Sequence, residues 1–496
     1  MKQTRRSFLQ TSLFAATAAT FSARSWAQVE GANSDIRIGA IGFRGRGMEN
    51  LGNMLKSQGV RMTGLCDVDE SVLAKGKDYF GKQGHTVETY RDMRKMLESK
   101  DVDAVMVATP NHWHALAAIW AVQAGKDVYV EKPVSHNVFE GRKLVEAAQK
   151  YGRIVQAGTQ SRSSAGLHQA AQYASEGNLG KLQWARGTCY KRRISIGKVD
   201  GEQPIPAGID YDLWCGPAPM KPLMRAQLHY DWHWVWDTGN GDLGNQGIHQ
   251  VDIARWFLGE PKLSPSVMSI GGRLGYVDDG ETPNTQILVY GYEKAPLYFE
   301  VRGLPSAAES KEMDKYRGAA IGVVVQYENG YLAIPSYTAV AAFSNDGEMI
   351  KRWGTYPKPK EGVDPGDSGS GKMEDHQTNF IQGVRTRNSA KLAGSIEGGH
   401  ISSALCHLGN ISHRLGKTRD AGEIREQVKA DANVSEALGR ALEHLEANNV
   451  DVKKDQLTYG VPLKFNPDTE RFIDNAEADR QLTREYRAPY IVPEKV

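Results

Sequence analysis

The sequence predicts an α/β chain: a doubly wound parallel (Rossmann) sheet at the N-terminal end, then an α+β domain on a mostly antiparallel sheet. Three observations predict it. From residue 35 to about 160, short apolar runs alternate with helical patterns, as in strand–helix–strand units. A glycine-rich turn, Gly42-Phe43-Arg44-Gly45-Arg46-Gly47, follows the first of those runs. Beyond residue 160 the apolar runs are broken by hairpin-type segments such as Glu328-Asn329-Gly330, which suit antiparallel pairing.

The elements follow in order. Ile36–Ile41 reads as a strand, Gly45–Lys56 as a helix, and Val60–Cys66 as a second strand closed by Asp67. Helical spacing covers Glu70–Phe80 and Tyr90–Glu98. Strands at Ala104–Ala108, Asp127–Val130 and Ile154–Ala157 then alternate with helices at Trp113–Ala124 and Val138–Tyr151. In the second part a helix over Gly166–Ser175 leads through Gly177-Asn178-Leu179-Gly180 into a strand at Lys181–Tyr190. Further strands are expected at Ser266–Gly271, Thr285–Tyr292, Leu297–Val301, Gly322–Tyr327 and Tyr331–Pro335. A loop rich in Pro, Gly and Ser runs over Pro357–Gly371, and helices resume at His376–Arg387 and Gly399–Leu415. Asp420–Asn448 is charged and helical. The expected organisation is a signal peptide over 1–27, a nucleotide-binding domain over 35–160, an α+β substrate or oligomerisation domain over 161–416, and a helical segment and tail over 417–496 that pack back on the core.

Residues 1–27 read as an export signal. Thr4-Arg5-Arg6-Ser7-Phe8-Leu9 is a twin-arginine signature, a mild apolar stretch runs from Thr11 to Thr20, and Ser25-Trp26-Ala27 offers small residues for cleavage before Gln28. A periplasmic protein exported already folded is expected. Loss of Lys2, Arg5, Arg6 and Arg24 takes 61 basic residues to 57 against 59 acidic ones, a net charge near −2. No basic patch points to nucleic acid, and no apolar run approaches the roughly 20 residues of a membrane span. Cysteines 66, 189, 215 and 406 are far apart, so a disulfide framework is not expected.

The glycine-rich turn suits a dinucleotide, whose pyrophosphate needs close backbone approach. Its third position is Arg44 rather than glycine; a guanidinium there can contact phosphate, and Gly45 supplies the tight turn. Asp67, 20 residues on from Gly47, is placed to accept hydrogen bonds from ribose hydroxyls and to repel a 2′-phosphate, which favours NAD over NADP. Equally, Asp67 caps the following helix. His112 and His114 have a metal-like spacing, but they open a helix without a third ligand, so no metal site is expected. Two apolar runs end abruptly, in Thr109-Pro110-Asn111 and in Glu131-Lys132-Pro133, and so aim polar groups at a common crevice.

These features together resemble the Gfo/Idh/MocA oxidoreductases, named after glucose-fructose oxidoreductase and inositol dehydrogenase. The resemblance spans nearly the whole mature chain and is strongest over 36–160. It implies a bound nicotinamide faced by Glu131 and Lys132, with Lys132 touching the substrate hydroxyl that loses hydride. Candidate cofactor contacts are Gly42, Phe43, Arg44, Gly45, Arg46 and Gly47 in the turn and Asp67 beyond it. Thr109, Pro110, Asn111 and His114 follow, then Glu131, Lys132 and Gln160. The segment Gly239-Asn240-Gly241-Asp242-Leu243-Gly244-Asn245-Gln246-Gly247-Ile248-His249 resembles the family's Gly-Gly-x-x-x-Asp-x-Gly-x-His run. It nominates His249 as the base and places Asn245 where the family often has Asp. Positions 245 and 249 share one helix face.

Substrate contacts are expected from Tyr190 and Arg192 at the end of a strand, from Trp232 and Trp234 in His229-Tyr230-Asp231-Trp232-His233-Trp234, and from His249. Aromatic faces stack on sugar C–H surfaces, although alternating tryptophans are equally one buried face. The expected activity is NAD-dependent removal of hydride from a secondary hydroxyl of a sugar, glycoside or polyol. One alternative is a glycosidase or glycoside lyase that oxidises its substrate transiently on a held NAD. Another is a sugar-binding protein with a structural nucleotide. A homodimer or homotetramer on an open face of the second sheet is compatible with the sequence.

Overall fold

The computed structural model describes residues 35–358, 375–453 and 456–496. The twin-arginine segment and the Pro/Gly/Ser-rich stretch from residue 359 onward lie outside the described residues.

Six parallel strands form the first sheet: β1 (Ile36–Ile41), β2 (Val60–Cys66), β3 (Glu88–Tyr90), β4 (Ala104–Val107), β5 (Asp127–Val130) and β6 (Val155–Ala157). Their order is β3-β2-β1-β4-β5-β6. Crossovers are made by α1 (Arg46–Met54), α2 (Glu70–Lys82), α3 (Met93–Leu97), α4 (Asn111–Gln123) and α5 (Val138–Lys150). The order reverses between β1 and β4, so a crevice opens at the carboxyl ends of these two strands. Continuous Val-rich runs such as Ala104–Val107 and Asp127–Val130, buried at every residue, are what a sheet covered on both faces requires.

β3 was not anticipated. Three residues, none of them buried, carry too little periodicity to reveal an edge strand. The expected helix over Tyr90–Glu98 shrinks to α3, because the Asp92 side chain accepts from Arg94 N and starts the helix there.

The second domain contains α6 (Ala165–Ser175), β7 (Leu182–Tyr190), α7 (Tyr211–Cys215), α8 (Ile248–Leu258), β8 (Ser266–Gly272), β9 (Thr285–Tyr290), β10 (Leu297–Arg302), β11 (Ile321–Tyr327), β12 (Gly330–Ile334), β13 (Ala339–Ser344) and β14 (Met349–Gly354). After these come α9 (His376–Thr386), α10 (Ile396–Arg414), β15 (Lys417–Arg419), α11 (Ala421–Val428), α12 (Ala432–Ala447), β16 (Leu457–Tyr459), β17 (Leu463–Asn466), β18 (Arg471–Phe472) and α13 (Ala476–Arg480). Ten strands run in the order β14-β13-β12-β11-β7-β10-β9-β8-β16-β15, with β17 also on β8 and β18 on β17. Among the described strands of this second sheet only β7 and β10 pair in parallel. α6, α8 and α10 cover one face, through a core that includes Leu167, Val251, Phe299, Val323, Trp353 and Leu405.

The charged segment 420–448 is two helices, broken where the Asp431 side chain caps α12. Val434, Leu438, Ala441, Leu442 and Leu445 form an apolar stripe that packs on Ile270, Ile287 and Tyr298. The sheet face expected to be open is therefore covered over β8–β10 by the chain's own α11 and α12. Two distant pieces return to the nucleotide domain. Phe380, Ile381 and Val384 of α9 join one side of its core, and Tyr490 and Val492 join the other.

Candidate active site

The glycine-rich turn leaves β1 with Gly42 at φ 68°. A Cβ there would lie 2.9 Å from the backbone of Thr109, so only glycine lets the loops after β1 and β4 meet. A Cβ on Gly47 would lie 2.9 Å from Gly42 O. Gly47 thus serves helix–strand packing beneath the turn and does not line the crevice. Phe43, Arg44, Gly45 and Arg46 do line it, in a cavity of about 510 Å³. Asp67 ends β2 on the same wall and accepts from Asp69 N at 3.1 Å. Burial, reinforced by the Asp69 charge, pushes its pKa up to about 6. Thr109, Pro110, Asn111 and His114 complete that side.

Thr109 Oγ1 and Asn111 Oδ1 are buried without a partner among the described residues. Orphaned acceptors and donors beside a glycine cradle at a topological switch point fit a dinucleotide.

At the reacting end, β5 delivers Glu131 and Lys132, ahead of a cis bond to Pro133. Glu131 accepts from Asn50 Nδ2 (2.8 Å), Gln160 Nε2 (3.1 Å) and Lys132 N (3.2 Å), with Arg46 Nε at 3.5 Å. Asn50 is held in turn by Gln377 Nε2 of α9 at 2.8 Å. Gln160 therefore stands behind Glu131, also donating to Tyr129 Oη at 2.9 Å, and does not line the crevice. Lys132 Nζ donates to Asn245 O at 2.7 Å. Burial lowers the Lys132 pKa to about 8 against the opposing pull of Glu131.

Asn245 meets Lys132 through its backbone carbonyl, not its side chain. Leu243–Gly247 is a π-helical turn ahead of α8, a distortion common at functional sites. His249 follows in the first turn of α8. It is buried, with its ring 4.8 Å from that of Tyr337. Burial and the nearby Lys132 charge hold it neutral. It stands behind the cavity wall rather than on it.

Other expected substrate contacts are corrected. Tyr190 is buried on the opposite sheet face, donating to Glu300 Oε2 at 2.6 Å beneath Arg440 of α12. Arg192 is exposed and away from the cavity. Strand alternation continues past β7 and turns the odd positions inward instead: Lys191 Nζ donates to Gln246 Oε1 (2.9 Å), and Arg193 Nε donates to Asp242 Oδ2 (2.7 Å). The tryptophans split. Trp232 lines the cavity, whereas Trp234 is buried with the Arg193 guanidinium 5.2 Å from its ring.

Sequence reasoning missed the roof. The segment between β7 and the π-turn crosses to the nucleotide domain and contributes Leu213, Trp214, His229, Tyr230 and His233 to the cavity. Asp210 N donates to Val68 O (3.0 Å) and Glu70 N to Gly208 O (3.1 Å). Trp113 Nε1 donates to Leu213 O (3.0 Å), and Tyr490 Oη donates to Asp212 Oδ2 (2.7 Å). His233 was legible only as part of an aromatic run.

Residues 36–159 match the model of the Gfo/Idh/MocA oxidoreductase family's NAD-binding Rossmann fold, and residues 182–289 match its C-terminal alpha/beta domain. Over these two stretches the chain is similar to both domains of the Gfo/Idh/MocA oxidoreductases. NAD is accordingly the nucleotide of the crevice. Among curated relatives, a glycosyl hydrolase family 109 protein 2 of Shewanella sp. (strain ANA-3) is 36% identical over 126 residues. A family 109 protein of Shewanella baltica (strain OS155) is 32% identical over 120. Each match covers 23% of this chain and 26% of the relative, so about a quarter of the curated relatives' length is matched. Two solved structures share the fold. The WlbA dehydrogenase of Bordetella pertussis, in complex with NADH and UDP-GlcNAcA, has a TM-score of 0.53 at 17% identity, over 75% of this chain and 94% of that one. The aldose-aldose oxidoreductase of Caulobacter crescentus, complexed with glycerol, has 0.52 at 16%, over 74% and 94%.

Proposed function

We propose that this protein oxidises a secondary hydroxyl of a sugar, glycoside or polyol on a tightly held NAD, in the periplasm after folded export. One observation carries the reading: a half-buried lysine at the tip of β5, its pKa lowered to about 8, stands in the NAD crevice and is anchored to the π-turn of the second domain. NAD supplies the hydride acceptor. Lys132 binds the hydroxyl oxygen and takes up its proton in the neutral amine form. His249, behind it on α8, is the candidate to pass that proton on. Glu131, fixed by Asn50 and Gln160, sets the position of the lysine. Trp232 offers an aromatic face to the ring. A homo-oligomer is compatible with this reading, but over β8–β10 the chain's own helices occupy the sheet.

A second reading is favoured by two observations, the 36% identity to a family 109 glycosyl hydrolase over 126 residues and the roof over the crevice. In it the oxidation is transient, the glycosidic oxygen is expelled by elimination, and the hydride returns. One experiment tests both: purified holoprotein is mixed with free sugars and with 4-nitrophenyl glycosides. Stoichiometric reduced nicotinamide supports the dehydrogenase. Nitrophenol release without net reduction supports the redox-neutral cleavage. Neither signal with any sugar, despite bound NAD, would defeat the oxidoreductase assignment.

A further inference from the structure

The turn that carries His233 is conformationally strained. Tyr230 has φ 70° and ψ −50°, and Asp231 N donates across it to His229 O at 3.0 Å. This is a γ-turn of the disfavoured hand, which a tyrosine does not adopt by local preference. It persists because its surroundings fix it. Arg193 Nη1 donates to the Tyr230 hydroxyl at 2.7 Å, while the same guanidinium is locked on Asp242. Thr238 Oγ1 donates to Trp232 O at 2.9 Å. A Cβ on Gly239 would lie 2.3 Å from His233 O, so the glycine lets the turn seat.

What the strain delivers is one oriented imidazole. The His233 ring stacks on Trp232 with centroids 3.6 Å apart, and its Nδ1 is hydrogen-bonded to Tyr230 O. A carbonyl only accepts, so Nδ1 carries the hydrogen and Nε2 keeps a free lone pair. Nε2 has no protein partner among the described residues, and His233 shares the cavity with Lys132 and Asn245. The side chain is half-buried, and its desolvation lowers the pKa and favours the neutral ring.

We propose that His233 is a catalytic base that removes the proton from the C–H adjacent to the carbonyl formed by hydride transfer. This rests on the oxidoreductase reading above. The C–H bond breaks, its proton passes to Nε2, and its electron pair becomes the C=C bond of an enolate. The enolate oxygen is held by the Lys132 ammonium, which took up the hydroxyl proton in the preceding step. With no leaving group on the next carbon the proton returns. With a glycosidic oxygen there, the electron pair expels it. The residue thereby equips the site for elimination, which a simple alcohol dehydrogenase does not need.

The test uses holoenzyme in D2O with whichever free sugar or 4-nitrophenyl glycoside reduces its nicotinamide. Wild type is expected to wash one deuterium into recovered sugar beside the oxidised carbon, read by NMR or mass. His233→Gln is expected to slow that wash-in at least 100-fold while nicotinamide reduction stays within about threefold and bound NAD is unchanged. His233→Gln exchanging at the wild-type rate overturns the proposal. So does a parallel loss of nicotinamide reduction or of bound NAD, which would make the imidazole a hydride-step or cofactor-holding group. Reduction without wash-in by wild type also overturns it, while leaving the oxidoreductase reading intact. Failure of every substrate both to reduce the nicotinamide and to release nitrophenol sinks that reading itself.

Discussion

At Gly216 the roof lies against Trp113 of the nucleotide domain, and a single methyl group there tests whether the roof retains NAD. It caps α7 at φ 49°, ψ −119°. A Cβ would lie 2.0 Å from Trp113 Cζ2 and 2.2 Å from Cε2, against about 3.5–4.0 Å for an ordinary carbon contact. Gly216→Ala therefore forces roof and ring apart by about 1.5 Å, and breaks the hydrogen bonds from Trp113 Nε1 to Leu213 O (3.0 Å) and Trp214 O (3.2 Å). The positive φ costs about 1–2 kcal/mol for a residue with a Cβ, and the overpacking about 1–3 kcal/mol. Relief by opening the roof converts that sum of about 2–5 kcal/mol into nucleotide release at least about 30-fold faster, at 1.4 kcal/mol per factor of ten. The assay is the half-life of nucleotide on the protein during dialysis, followed by the 260/280 nm absorbance ratio, with far-UV circular dichroism to confirm the fold. A variant that holds NAD as long as the parent, or sheds it only in step with unfolding, refutes the roof as the retaining element.

Other outcomes follow from the titrating groups. Burial depresses the Lys132 pKa to about 8, so turnover limited by the neutral amine rises with pH and levels off above about 8. Lys132→Met should lose at least 100-fold in nicotinamide reduction at every pH while retaining NAD, and a variant of undiminished rate would remove lysine from the mechanism. Asp67 has a folded pKa raised to about 6. Its contribution in the apoprotein is thus greatest below the unfolded value of about 4 and is lost as pH rises through about 6, by up to about 3 kcal/mol. Melting curves of apoprotein at pH 4.5 and 7 should show that decline, and Asp67→Asn should flatten it. An unchanged slope in the variant would assign the decline to other groups.

The parallel sheet was legible because its strands are buried on both faces and its helices carry caps and spacing. Every part of the crevice near β1, β2, β4 and β5 follows from where those runs end. β13 and β14 were not, since Ala339–Ser344 is small and Met349–Gly354 mixes Lys351 and Arg352 among its apolar residues. Tyr190 and Arg192 were nominated from the right segment but on the wrong side of it, because position in a sequence does not fix which face of a continuing strand points inward. The roof, and Gln377 behind Asn50, depend on contacts between residues 327 and more positions apart in some cases, and no local pattern encodes these. His233 had a visible signal, a histidine amid tryptophans, but its tautomer and aim come from a strained turn that only coordinates reveal.

The return of residues 486–492 to the first domain has a consequence for biosynthesis. Tyr486 Oη meets Asn137 across 349 positions, and Tyr490 seats between Trp113 and Trp120. The nucleotide half of the molecule thus awaits a stretch translated long after its own strands, and it is not sealed while synthesis is under way. Cleavage near residue 484 would strip Tyr490 from the Trp113 and Trp120 side of the first domain's core while leaving the strands of the sheet intact.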